Sequence, residues 1–600
     1  MGNAGPTQRP LRRRLRALLS GRYLPVVLAI LAILMALPSL WVGWVMDDHF
    51  HRMTMLGSSR FPEAFGSPMD LFRFFNGDPE RTGRVMDIGL LPWWTFKEVK
   101  AGFWRPLTVL THWVDYQLWP ELPALMHAQS LLWFGGVVAA VAVLYRRLMG
   151  ATWVAGLAAL LYAIDDAHGM PVGFLANRNV LPASLFGVLA LLAHDRWRRD
   201  GRRYGAVLGP VLFAVSLLFK EAGLATTAYL FAYALFLDRG TWKQRLTALL
   251  PYAAIVVAWR VAWDYQDYGV WGIGPYVDPI AEPLRYAVAV VHHAPLLLLG
   301  QWALPPPELS IILEPPAVQM LWVGAVIAVA LLALVMIPLV RRDVMARFWA
   351  AGMILSLLPI CATFPGDRLL FFTGIGAMGL LVQFLSLVFG PTDRRPVALV
   401  WRVPAMSFAV LFILVHGVAA PILLPLRAGY PIGTKKFLDQ HYVQAPMDRS
   451  VEQQDVVIVN PPSPFHAIYL PILRELDNEP VPRHTRILAP GYSAMTVRRP
   501  DERTLVIRPE RGYLAWVFDR LFRGENHPML LGERVELTGM TVEVTALTVD
   551  GRPAEAAFRF AVPLEDPSLR WLYWKDGAFV AFTLPAVGQA IELPPAIPAL

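Results

Sequence analysis

At 600 residues, 56% hydrophobic and only 17% charged, the chain is too apolar to be soluble and too long for one domain. Its formal charge of +8 comes from arginines in short clusters between apolar runs, the pattern of cytoplasmic loops, which argues against a nucleic-acid partner. The single cysteine, Cys361, rules out an intramolecular disulfide and a cysteine-built metal cluster.

The first apolar run, about 23–46, is long enough to cross a bilayer and follows Arg12, Arg13, Arg14 and Arg16. Residues 1–21 are therefore expected on the cytoplasmic side and the far end of the run outside. The run is too long for a signal peptide and lacks a small-residue cleavage site, so it reads as a retained span. It ends in Asp47-Asp48. A polar stretch from 47 to about 120 follows, with aromatics such as Pro92-Trp93-Trp94 and Phe103-Trp104, and is expected to be a long outer loop on the membrane interface.

Further apolar runs alternate between basic ends (Arg146-Arg147, Arg198-Arg199, Lys243 to Arg245, Arg341-Arg342, Asp393-Arg394-Arg395) and ends that are acidic or carry histidine (Asp165-Asp166-Ala167-His168, Lys220-Glu221, Asp367-Arg368). That alternation predicts about eleven crossings, with the N-terminus inside and the C-terminus outside. The segment of about 284–304, with His292-His293 and the prolines after it, reads as interfacial or re-entrant. From about 428 the composition changes: 456–460, 504–507 and 541–545 are short β-branched runs, and Lys575-Asp576-Gly577 is a hairpin turn signal. The fold class expected is a multi-span α-helical membrane protein with a C-terminal, mostly β, extracytoplasmic domain. Its parts are a basic N-terminus (1–21), a transmembrane domain (22–427) holding the outer loop 47–120, and the β-rich domain (428–600).

Ionisable residues at membrane depth are expensive, so those gathered on the outer face are the candidate site: Asp47, Asp48, Arg105, His112, Asp115, His127, His168, Arg178, Lys220, Glu221, Asp367 and Arg368. Each alone has a bland explanation, a carboxylate that ends a span in solvated interface. For His112 and Asp115, three apart, a local helical polar pair is the favoured reading. His292 and His293 are adjacent and point apart on a helix, which disfavours a metal pair.

Phe103-Trp104-Arg105-Pro106-Leu107-Thr108, Asp115-Tyr116-Gln117-Leu118-Trp119 and His127-Ala128-Gln129-Ser130-Leu131-Leu132 resemble the ordered motifs of GT-C fold glycosyltransferases. The resemblance is nearest to the transmembrane O-mannosyltransferases that often carry TPR repeats, and to their bacterial relatives. It runs over about 47–390 and takes in His168, Arg178, Lys220-Glu221, Pro305 to Ser310 and Asp367-Arg368. The resemblance implies a polyprenyl-phosphate sugar donor, an acceptor protein or envelope glycan on the outer side, and a location in a bacterial inner membrane. It also implies Asp48 as catalytic base with Asp47 beside it, an order that could be reversed. Arg105, Arg178, Lys220 and Arg368 are then the donor-phosphate ligands, and His112, Asp115, His127, His168, Glu221 and Asp367 support them. Asp165-Asp166 and Met170 depart from the family pattern, as does the β-rich tail that replaces the repeats. No metal and no cofactor is assigned, a divalent cation on hard oxygen ligands being the open alternative. The second reading is a non-catalytic scaffold or transporter whose β domain binds glycan or protein.

Overall fold

The computed structural model describes residues 8–390, 399–431, 433 and 445–596; the expected basic break at Asp393-Arg394-Arg395 and the side chain of Arg12 lie outside them. The chain forms two compact units. The first comprises Met1–Gly43, Trp104–Gln266 and Pro279–Ile432, the second Trp44–Phe103, Asp267–Asp278 and Gly433–Leu600.

The first unit is helical. Helices Pro106–Leu118, Pro123–Met149, Pro283–Trp302 and Pro315–Arg342 all begin on proline, whose fixed φ suits a first turn that needs no N–H partner. Among the described residues seven helices are long and apolar enough to cross a membrane, and this is an integral membrane protein. Leu175–Asp200 and Phe371–Phe389 are 83% and 78% buried within the protein, whereas Trp242–Tyr265 is 17% buried; the first two form the bundle centre and the last leaves most of its surface to lipid. The four remaining predicted crossings are helices too, Trp153–Ala163, Gly205–Phe219, Ala225–Phe236 and Val344–Ile360, each of 17 residues or fewer. Their polar ends sit where the expected outer breaks fall. Glycine lets these short pieces pack closely: a Cβ on Gly352 of Val344–Ile360 would overlap the ring of Tyr229 in Ala225–Phe236.

The second unit is built on three sheets. A six-stranded antiparallel sheet runs in the order Ala590–Leu593, Met495–Asp501, Thr504–Pro509, Pro553–Phe560, Met540–Leu547, Arg534–Leu537. A four-stranded sheet orders Ala578–Ala581, Leu569–Lys575, Asp455–Ile458 and His484–Ile487, and its last three strands are parallel. Helix Pro464–Leu476 makes the crossover that a parallel pair requires. Asp576 and Gly577 carry φ of 51° and 85°, the paired positive values of a type I′ hairpin turn.

Residues 47–120 are not the interface loop that their scattered aromatics suggested. They hold helices Asp47–Leu56 and Pro79–Ile88, strands Arg73–Asn76 and Lys100–Gly102, and the start of the helical unit's Pro106–Leu118. The two strands pair with Gly269–Trp271 in a small antiparallel sheet. Met53, Phe61, Trp93 and Trp94 share a core with Val456, Tyr469, Tyr513 and Phe558, so the aromatics read as interfacial are core. Trp93 Nε1 donates to the carbonyl of Leu488 at 3.1 Å.

Candidate active site

In the helical unit, helix Gly205–Phe219 stops where Lys220 adopts an extended conformation, and a short 3₁₀ turn, Glu221–Leu224, follows. The break leaves Lys220 only 7% exposed. Its Nζ donates to Asn177 Oδ1 at 3.1 Å, and among the described residues it has no carboxylate at salt-bridge distance. Burial, and then the positive charge of Arg105, hold its pKa well below the usual lysine range. Arg368 is near enough to act in the same direction. Its guanidinium lies 4.4 Å over the ring of Phe364, and among the described residues it too lacks an ion-pair partner. Arg105 is different. It grips Glu221 with two hydrogen bonds, one of 3.0 Å from Nε. Burial raises the Glu221 pKa, but Arg105 outweighs it and holds the carboxyl below its usual value.

Arg178 is fully buried and forms a 2.5 Å ion pair with Asp115, itself fully buried. It also donates to Gln129 Oε1 and lies 3.3 Å from His112 Nδ1, while Trp119 Nε1 donates to Asp115 at 3.1 Å. His112 and Asp115 are therefore not a surface pair on one helix; both reach a cation 63 or more positions along the chain. Arg178, expected at the donor phosphate, already has its charge met by Asp115. His127 Nε2 is 2.9 Å from the carbonyl of Gly43. His168 sits among Phe134, Tyr162 and Phe371, and burial pushes its pKa down to about 3, which makes it a neutral core residue.

A second cluster in this unit is acidic. Arg427 Nε lies 3.1 Å from Asp166, and its Nη1 donates to Asp367. The Asp367 amide donates to Glu308 at 2.6 Å, and Gln301 donates to Asp165 at 3.1 Å. Burial holds Asp165 and Asp367 above the usual carboxylate range, and repulsion from Asp166 and Glu308 adds to it. Among the described residues no group of three or more His, Cys, Asp or Glu has the arrangement of a metal site.

Asp47 and Asp48 belong to the second unit, in the first turn of Asp47–Leu56, where carboxylates favour the helix dipole. Met46 before them has φ 49°, ψ −120°, a conformation that costs a non-glycine residue energy and tends to mark functional segments. Asp48 is 2% exposed and accepts the Val45 amide at 3.1 Å. Asp47 is half-buried and accepts the Tyr469 hydroxyl at 3.0 Å.

No family model matches this chain, and no curated protein does. Two solved structures of ArnT from Cupriavidus metallidurans align with it at 14% identity. The one bound to undecaprenyl phosphate covers 77% of this chain and 89% of its own, with a TM-score of 0.32. The apo one covers 76% and 84%, with a TM-score of 0.28.

The structure thus gathers Arg105, Glu221, Lys220 and Arg368 into one neighbourhood and His112, Asp115 and Arg178 into another, and ties Asp367 to Arg427. His127 and His168 stand apart from both. Gln129 and Glu308 stand inside the quoted motifs with no role assigned to them, and Gln301 and Arg427 carry no expectation from the sequence. Arg427 did leave a signal, as a charged residue just beyond the last apolar run.

Proposed function

We propose that this chain is a membrane glycosyltransferase that moves a sugar from a polyprenyl phosphate to an acceptor hydroxyl, on a protein or an envelope glycan or lipid, at the outer face. The observation that carries the reading is Lys220: a buried ammonium with only a neutral amide partner, next to Arg368, which also lacks a carboxylate. Two cations at the ends of apolar helices, neither with a carboxylate at ion-pair distance among the described residues, suit an anion that arrives on a lipid, and phosphate oxygens accept charge-assisted hydrogen bonds from both residue types. Arg105 and Arg178, held by Glu221 and Asp115, have weaker claims as phosphate ligands.

In the reaction, a carboxylate takes the acceptor's hydroxyl proton as the oxygen bonds to the sugar's anomeric carbon. The bond from that carbon to the phosphate oxygen breaks, and the polyprenyl phosphate leaves with the electron pair. Of the two candidate bases, Asp47 is the more accessible, and Asp48, turned to its own backbone, keeps the segment's shape.

The test is transfer from a labelled lipid-linked sugar by the full chain in lipid. Lys220→Met is expected to lower kcat/KM by about 100-fold, the loss of one strong charge-assisted contact to phosphate, and Asp47→Asn to lower kcat with little change in the donor KM. Undiminished transfer by both variants would remove Lys220 and Asp47 from the site, and no transfer by the unaltered chain would leave the scaffold or transporter reading in its place.

A further inference from the structure

Arg427 lies in helix Ala420–Gly429 with about four-fifths of its side chain covered. Its two carboxylate partners come from different breaks in the bundle, Asp166 from the turn Asp166–His168 and Asp367 from the turn Asp367–Leu369. A third break joins through Glu308, whose Oε1 accepts the backbone amide of Asp367 at 2.6 Å. Arg427 cannot drift from this position, because its helix is seated on Gly169 and Gly173, where any side chain would meet the backbone around Ala428. Among the described residues it is the cation that pairs with both Asp166 and Asp367, and without it these carboxylates and Glu308 would repel one another at high cost.

Arg368 is the residue after Asp367, inside the same three-residue turn, and it is one of the two cations assigned above to the donor phosphate. We propose that Arg427 is a positioning residue for the donor: by holding Asp367 it fixes the turn that presents the Arg368 guanidinium beside Lys220. The inference rests on the donor reading given above. Arg427 itself touches no reacting atom; its effect reaches the phosphate through the backbone of residues 367 and 368. The geometry also explains why a turn of only three residues holds one arginine steady without a carboxylate of its own: the carboxylate next to it is clamped instead.

The experiment is titration of the full chain in lipid nanodiscs with a polyprenyl phosphate that carries no sugar, together with steady-state transfer. Arg427→Met is expected to weaken binding by about tenfold, the size of one lost charge-assisted hydrogen bond, and to raise the donor KM more than it lowers kcat. Arg427→Lys, which keeps the charge, should recover most of the binding. Combining Arg427→Met with Arg368→Ala should bind no worse than Arg368→Ala alone, because the first acts through the second. Effects that multiply in the double variant would overturn the proposal, as would a fall in kcat alone, the mark of a smaller folded fraction. Should Arg427→Met fail to fold, the same cycle is run with Arg427→Gln, which loses the charge but keeps a polar head. Full-strength binding by Lys220→Met would strike the donor reading itself; loss there with full-strength binding by Arg427→Met would remove only the positioning role.

Discussion

Arg178 and Lys220 are both buried cations of the helical unit, but the protein treats them in opposite ways. Arg178 is held by Asp115, Gln129 and His112 through its two terminal nitrogens and has the form of a structural ion pair. Lys220 is offered one amide oxygen, and the positive charge of Arg105 beside it outweighs the carboxylate of Glu221. Removing either partner of a satisfied buried pair strands a charge, whereas removing a charge that was never satisfied relieves the fold. The contrast separates residues that hold the bundle together from residues kept at a cost to stability for a ligand.

The largest effect that would sharpen this contrast is on Arg178. Arg178→Met should lower unfolding stability by about 3–5 kcal/mol, and adding Asp115→Leu should restore most of it, because the stranded carboxylate goes too. Thermal unfolding in detergent measures both, and an additive double variant would break the comparison. Lys220→Met should do the reverse, raising stability by about 1 kcal/mol while donor binding is lost. Its pH dependence follows from the sign of the shift. Burial places the folded pKa of Lys220 well below 10.5, so stability is fully present above 10.5 and is lost as pH falls through the folded value. Unfolding midpoints of the wild type should climb between neutral and alkaline pH more steeply than those of Lys220→Met. The smallest effect falls on the Arg105–Glu221 pair, largely covered at 11% and 29% side-chain exposure: Glu221→Gln should lower stability by about 1 kcal/mol. By releasing Arg105, it should also tighten polyprenyl phosphate binding; weaker binding would show that Glu221 does more than restrain that arginine.

Much of the helical unit was legible in the residues. Each apolar run is a helix, and the Lys220-Glu221 and Asp367-Arg368 interruptions fall where helices end, because a charged pair inside an apolar run must end it or be paired. Strands Thr504–Pro509 and Met540–Leu547 cover the β-branched runs noted in the sequence. Which cation meets which carboxylate was not legible. Membership of one face says nothing about neighbours on different helices, and so Arg178 was expected to bind the donor although Asp115 neutralises it. The segment 44–103 misled for a related reason. Its aromatics resemble an interfacial belt until the strands that bury them are known, and Trp93 finds its carbonyl partner 395 residues away. The βα crossover at Pro464–Leu476 was hidden as well, since a short helix with Pro461, Pro462, Pro464 and Pro471 in or just before it carries little periodicity.

The second unit's assembly from three separated stretches bears on the order in which the protein can be made. Residues 44–103 are synthesised hundreds of residues before Leu569–Lys575, yet Gly89 packs so closely on Thr485 that any side chain there would overlap its carbonyl oxygen. The early stretch must therefore wait, with Trp93 and Trp94 uncovered, while most of the bundle is inserted. Such a segment is exposed to aggregation and proteolysis for the length of that delay, so this chain's yield in a cell should depend on what shelters residues 44–103 until the last strands emerge.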